Sequence, residues 1–156
     1  MKSRIYLETS VISYLTAWPS RDLVRAGHQE TTREWWATRT TFELYISQLV
    51  LEEAAAGDPA AAAKRLEALR DVPVLELTTE ATGLGRDLVL EAALPAKAAA
   101  DALHIAIAAV QGMDCLVTWN CTHIANAMMR PRIEAICRAN GFEPPIICTP
   151  LELLEE

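Results

Sequence analysis

Arg4-Ile5-Tyr6-Leu7-Glu8-Thr9-Ser10-Val11-Ile12 is the stretch that decides the fold. Three apolar residues run straight into an acid, and Thr9 and Ser10 then supply the side-chain types that cap helices. The pattern predicts a short buried strand over 3–7 and a helical segment from Val11 to Thr16. The acid falls at the carboxyl end of the strand, which is where open α/β sheets bind their ligands.

The same grammar repeats downstream. Trp18-Pro19-Ser20 breaks the chain, and Ser20 is placed to cap a long helix running to about Arg39. A strand over 43–46 leads to Ser47, which caps a further helix ended by Gly57-Asp58-Pro59, and Pro59 suits the first turn of the next, to Arg70. A strand over 74–77 follows, then a helix from Thr79 to about Ala93. After the Leu94-Pro95 break, Lys97 to Gln111 reads as an Ala-rich helix, apolar nearly all round, closed by Gly112. Residues 115–118 make a fourth strand, a helix follows Pro131 to Asn140-Gly141, and 146–148 a last strand. Strands alternating with helices predict a three-layer α/β/α sandwich around a parallel sheet of about five short strands. Residues 1–156 read as one domain, with no repeat or linker.

Composition narrows the classes. With 156 residues and half of them hydrophobic, the chain can bury about 70% of its unfolded surface. A net charge of −7 excludes a basic nucleic-acid coat protein, though not an enzyme that meets nucleic acid through a local basic strip. Cys115, Cys121, Cys137 and Cys148 lack CxxC spacing and read as free core thiols. Without a signal peptide or a membrane-length apolar run, a cytoplasmic protein with no membrane association is expected.

Four positions stand out chemically. Asp101 interrupts the apolar stretch Ala98 to Val110 and needs a partner there, either a metal or Lys97 at i−4. Glu8 is either a ligand at a strand end or an exposed acid at a helix entry. Glu52 and Glu53 point about 100° apart on a helix, and spacing alone does not choose between them. Asn120, after Leu116-Val117-Thr118-Trp119, is either a neutral oxygen ligand or the cap of a short helix through Ile124. His104 shares a face with Asp101, as a core histidine or a ligand. His28 and His123 have no zinc-like spacing. Gly83-Leu84-Gly85 is too short for a dinucleotide fingerprint, and no GxSxG nucleophile elbow is present. Trp35-Trp36 marks core or an interface. Arg25, Arg33 and Arg39 on the same helix are phosphate contacts or solvated charges.

With these residues in place, the chain resembles the PIN-domain family, and within it the VapC-type toxins of toxin–antitoxin pairs. Tyr6-Leu7-Glu8-Thr9-Ser10-Val11-Ile12 is similar to the family's opening YLDTSV. Ser47 to Glu53 resembles its strand–helix step ending in an acid, Ala100 to Ala106 its central helix, and Leu116 to Asn120 its last acidic segment. The resemblance implies that Glu8, Glu53, Asp101 and Asn120 form the catalytic set, which selects Glu53 over Glu52. Of these, Glu8, Glu53 and Asp101 would hold the metal, with Thr9, Ser10, Thr118 and His104 in support. It further implies Mg²⁺- or Mn²⁺-dependent RNA cleavage leaving a 5′-phosphate, a cognate antitoxin partner and a homodimer, with the Trp35-Trp36 helix as its candidate face. Glu8 replaces the family's usual Asp, Asn120 an acid, and Thr122 a further Asp. Three carboxylates then remain, which predicts one tight cation site at best and leaves a catalytically weak binding module as the second hypothesis.

Overall fold

The computed structural model describes residues 1–92 and 94–154. In chain order, β1 (Arg4–Leu7) is followed by α1 (Thr9–Thr16) and α2 (Leu23–Ala37), and β2 (Glu43–Ser47) by α3 (Gln48–Ala54) and α4 (Pro59–Leu69). Then come β3 (Val74–Leu75), α5 (Thr79–Glu91), α6 (Ala99–Val110), β4 (Cys115–Val117), α7 (Arg130–Ala139) and β5 (Ile146–Cys148). The five strands form one sheet in the order β3-β2-β1-β4-β5, with every described pairing parallel.

That order reverses between β1 and β4. The chain steps outward from β1 through β2 to β3, then crosses back to β4 and on to β5. Right-handed crossovers therefore put α1 to α4 on one face and α5 to α7 on the other. Packing agrees: α1 touches α2, α3 and α4, whereas α5 packs on α6 and α7. Ile5, Tyr6 and Leu7 are all fully buried, as a central strand covered on both faces requires. α6 buries seven of its residues, Ala102 and His104 to Ala109, against the same core.

Local departures from the sequence expectation have physical causes. Asp22, not Ser20, caps α2 by accepting the Arg25 N–H, while the Ser20 hydroxyl accepts the Asp22 N–H one turn earlier. α2 stops at Ala37, and residues 39–41 tighten into a 3₁₀ turn. β3 is two residues long because only Val74 and Leu75 find partners, on Ile46 and Ser47. Ala93, the expected end of α5, lies outside the described residues. Lys97 sits in a 3₁₀ turn before α6, and Gly112 ends that helix in the left-handed region at φ 70°. Asn120 is followed by turns, not by a helix to Ile124.

Three side-chain expectations are also corrected. Cys121 is exposed, so only three of the four free thiols lie in the core. Trp35 is fully buried against Phe42 and its neighbours, which removes it from any interface and leaves Trp36, itself half-buried. Asp101 is partly exposed rather than enclosed, and Lys97 makes no ion pair with it among the described residues. Among the described residues, no helix is long and apolar enough to cross a membrane.

Candidate active site

The switch point between β1 and β4 is where an open α/β sheet leaves a crevice at its strand ends. Glu8 stands there. Its main-chain N–H completes the β1–β4 ladder on the Val117 carbonyl, at 3.1 Å, and its carboxylate turns into the crevice. The Thr118 hydroxyl donates to Glu8 Oε1 at 2.6 Å, the Ser10 N–H donates to Oε2 at 3.1 Å, and the Ser10 hydroxyl makes a further short contact with Oε1. Ser10 Oγ in turn accepts the Trp119 N–H at 2.8 Å. Two strand ends are thus laced together around one carboxylate, whose side chain stays buried.

Glu53 arrives from the last turn of α3, next to exposed Glu52. Thr9 donates its hydroxyl to Glu53 Oε1 at 2.6 Å, and His104 Nε2 lies 2.7 Å from the same oxygen. Burial pushes this carboxyl up, but the hydrogen bonds from His104 and Thr9 and the histidine's charge outweigh it and leave it below the usual range. An ionised carboxylate only accepts, so Nε2 carries the proton of that bond. Nδ1 faces the Tyr6 hydroxyl at 2.6 Å, and burial drives the Tyr6 phenol far above its ordinary value, which keeps it protonated. Ser47 completes the line, 2.8 Å from the Tyr6 oxygen and accepting the Val50 N–H. The network links Ser47 to Tyr6, Tyr6 to His104 and His104 to Glu53 in one unbroken line. His104 therefore has both nitrogens committed and acts as a positioning residue.

One ligand atom each of Glu8, Glu53 and His104 lies within 4.8 Å of the others. With His104 saturated, the groups that fit a cation are the two carboxylates, and Glu53 Oε2 takes no hydrogen bond among the described residues. Hard oxygen donors on a closely spaced acidic pair suit Mg²⁺ or Mn²⁺. Asp101 is not in this group. Its Oδ2 lies 3.0 Å from His123 Nδ1. Asn120 does not offer its carbonyl oxygen freely either, because Oδ1 accepts the N–H groups of Thr122 and His123 at 3.2 and 3.1 Å. It caps the turn that sets His123 against Asp101.

Sequence reasoning missed two contributors. Tyr6 was readable as core alone, yet residues two apart on a strand share a face, so Tyr6 points to the same side as Glu8. His123 lacked any zinc-like spacing, and its role depends on a loop that the sequence does not shape.

The family model described as the PIN domain matches residues 5–120. No curated protein matches the chain. Among solved structures, the chain is similar to Mycobacterium tuberculosis VapC20, described as a sarcin-ricin loop cleaving toxin, at a TM-score of 0.59 and 18% identity. That match covers 90% of this chain and 99% of the other. It is also similar to a chain of VapBC2 from Rickettsia felis, solved bound to a DNA fragment from their promoter, at a TM-score of 0.55 and 16% identity over 94% and 98% of the two chains. Over most of its length, and with all four of its chemistry-bearing segments inside the match, this chain belongs to the PIN-domain family.

Proposed function

We propose that residues 1–156 form one domain, a divalent-metal-dependent endoribonuclease that serves as the toxin of a toxin–antitoxin pair. The observation that carries this is the Glu8–Glu53 pair: two carboxylates held side by side by dedicated donors at the sheet's switch point. Two such charges repel unless a cation sits between them, and the fixed hydroxyls keep both aimed into the crevice. Glu8 and Glu53 would hold Mg²⁺ or Mn²⁺, with Asp101 proposed as a third carboxylate. When bound, the cation supplies the Lewis acidity that activates water and offsets charge on a phosphate. Thr118 and Ser10 orient Glu8, Thr9 and His104 orient Glu53, and Asn120 fixes the turn beside Asp101. The likeness to VapC20 and VapBC2 supports RNA as substrate and a cognate antitoxin as partner. Dimer formation and a cytoplasmic setting belong to the same proposal.

The test is cleavage of a mixed RNA pool in Mn²⁺, Mg²⁺ or EDTA, with Asp101→Ala purified in parallel. Metal-dependent cutting that disappears in the variant is expected. Equal cutting by Asp101→Ala would overturn the site assignment. A second reading, a weakly catalytic binding module, is favoured by Asn120, whose oxygen is used within its own loop. Absence of cutting by folded, antitoxin-free protein would select it.

A further inference from the structure

Glu8 and Glu53 are each aimed by donors from other segments, Thr118 and Ser10 for the first, Thr9 and His104 for the second. Asp101 has a donor of the same kind in His123, whose Nδ1 lies 3.0 Å from Oδ2. A carboxylate oxygen accepts, so Nδ1 carries the proton of that bond. Asp101 Oδ1 takes no hydrogen bond among the described residues and is not a buried atom. Glu53 shows the same division, with two donors on Oε1 and none on Oε2. The Asp101 and His123 side chains are 20% and 18% exposed, so a cation can reach the open oxygen.

Both partners are fixed from behind. Thr118, which clamps Glu8, accepts the Asn120 N–H at 2.9 Å, and the Asn120 main-chain carbonyl accepts the Ala125 N–H at 2.8 Å. Asn120 Oδ1 holds the His123 N–H, and Ile124 anchors the next residue in the core, fully buried. His123 thus leaves its loop at a point set by the Glu8 clamp. Asp101 precedes His104 by three residues on α6, so the two share a helix face, and His104 touches Glu53. Asp101 is therefore tied to the Glu53 side by its own helix and to the Glu8 side by His123. A His–Asp pair near the surface adds little to stability by itself, and a loop closed by this many hydrogen bonds is more than such a pair requires. Carboxylates that ligate a metal are themselves hydrogen-bonded, and loss of such a supporting partner typically costs roughly 10- to 100-fold in metal affinity.

We propose that His123 is the positioning residue of Asp101, holding Oδ2 through its Nδ1–H so that Oδ1 is presented to the cation of Glu8 and Glu53. The inference deepens the metal-site reading above and rests on it. Its test is Mn²⁺ binding to the full chain by calorimetry, in the absence of RNA. His123→Leu removes the donor and should weaken Mn²⁺ binding about tenfold or more. His123→Asn puts an amide N–H where Nδ1 stood and should recover most of that loss. In an Asp101→Asn background, His123→Leu should cost nothing further, because the two residues act as one unit. A histidine that merely packs would give neither the rescue nor the non-additivity. Urea denaturation checks that each variant is folded, and the imidazole nitrogen-15 spectrum of the wild type should show the proton on Nδ1. Equal affinity in His123→Leu and wild type, or His123→Asn as weak as His123→Leu, would overturn the assignment. Tighter binding by His123→Leu would also overturn it, since His123 would then withhold Asp101 from the cation. Metal-dependent RNA cutting with an affinity that His123→Leu does not move would leave the nuclease standing without this inference. The expected affinities in a protein that never cuts RNA would give the reverse, and no Mn²⁺ uptake by the wild type would overturn both.

Discussion

His104 Nε2 lies 2.7 Å from Glu53 Oε1, and the ring that makes this contact is wholly buried while the carboxylate it holds reaches the crevice. Interior packing thereby sets the direction of a group that solvent can meet. Ser47, Tyr6 and His104 relay that order from β2 and β1 to α6, so the aim of Glu53 depends on three elements besides its own.

Removing the histidine should therefore cost stability as well as function. His104→Ala leaves a cavity and strips the buried Tyr6 hydroxyl of one of its two partners, together about 2–4 kcal/mol. Urea denaturation measures it, and a loss below about 0.5 kcal/mol would contradict the relay.

Acid should act through Glu53. Its carboxyl is lowered in the folded state, so it stabilises the fold above its unfolded value and ceases to do so as pH falls through the folded one. Glu53→Gln should be less stable than the wild type near neutral pH, and the two stability curves should converge on acidification below the ordinary glutamate range. Parallel curves across that window would show that the depression is not present.

Metal should be visible without catalysis. At about 100 times its Kd, a ligand specific to the native state adds about 2.7 kcal/mol, which for a chain of this size raises Tm by about 5–10 °C. Mn²⁺ should do this to the wild type in a thermal melt and fail to do so with Glu8→Gln or Glu53→Gln. An equal rise in those variants would place the cation elsewhere.

Asn120 offers a gain-of-function test. Aspartate caps a turn as well as asparagine does, so Asn120→Asp should fold with nearly unchanged stability. It also restores a carboxylate to the last acidic segment. Mn²⁺ affinity by calorimetry should rise about tenfold, or about 1.4 kcal/mol, with cleavage rising alongside. Unaltered affinity would mean that the side chain stays in its cap and never meets the cation.

Two buried tryptophans make a stability comparison. Trp119 Nε1 donates to Thr32 Oγ1 at 2.8 Å, whereas Trp35 Nε1 has no partner among the described residues. Trp119→Phe should cost about 1 kcal/mol more than Trp35→Phe in chemical denaturation, because only the former loses a hydrogen bond. The opposite order would mean that Trp35 has a bound water as its partner.

The parallel fold was legible because its strands are short apolar runs stopped by polar residues, and most of its helices start at Asp, Ser, Thr or Pro. Ser47, Pro59 and Gly112 each mark a boundary where local chemistry admits little else. Ser20 misled because Asp22, two residues on, is an equally good cap and the sequence does not rank them. The residues facing the crevice could be named from their positions at strand ends, but their partners could not. Thr118 finds Glu8 across 110 residues and His123 finds Asp101 across 22, distances over which periodicity carries no information. Asp101 looked buried because its helix is apolar, yet it lies in the first turn of α6, partly exposed and not in the core.

β5 contributes no side chain to the acids and lies beyond residue 120, where the family match ends. The Thr118 N–H nevertheless donates to the Cys148 carbonyl at 2.9 Å, so β5 fixes from outside the residue that clamps Glu8 from inside. A chain cut short before Ile146 would keep every acid and lose this outer rail. The bared flank of β4 would then offer unpaired backbone groups to any passing strand. Aggregation would accompany inactivity, and the cause would lie in the tail.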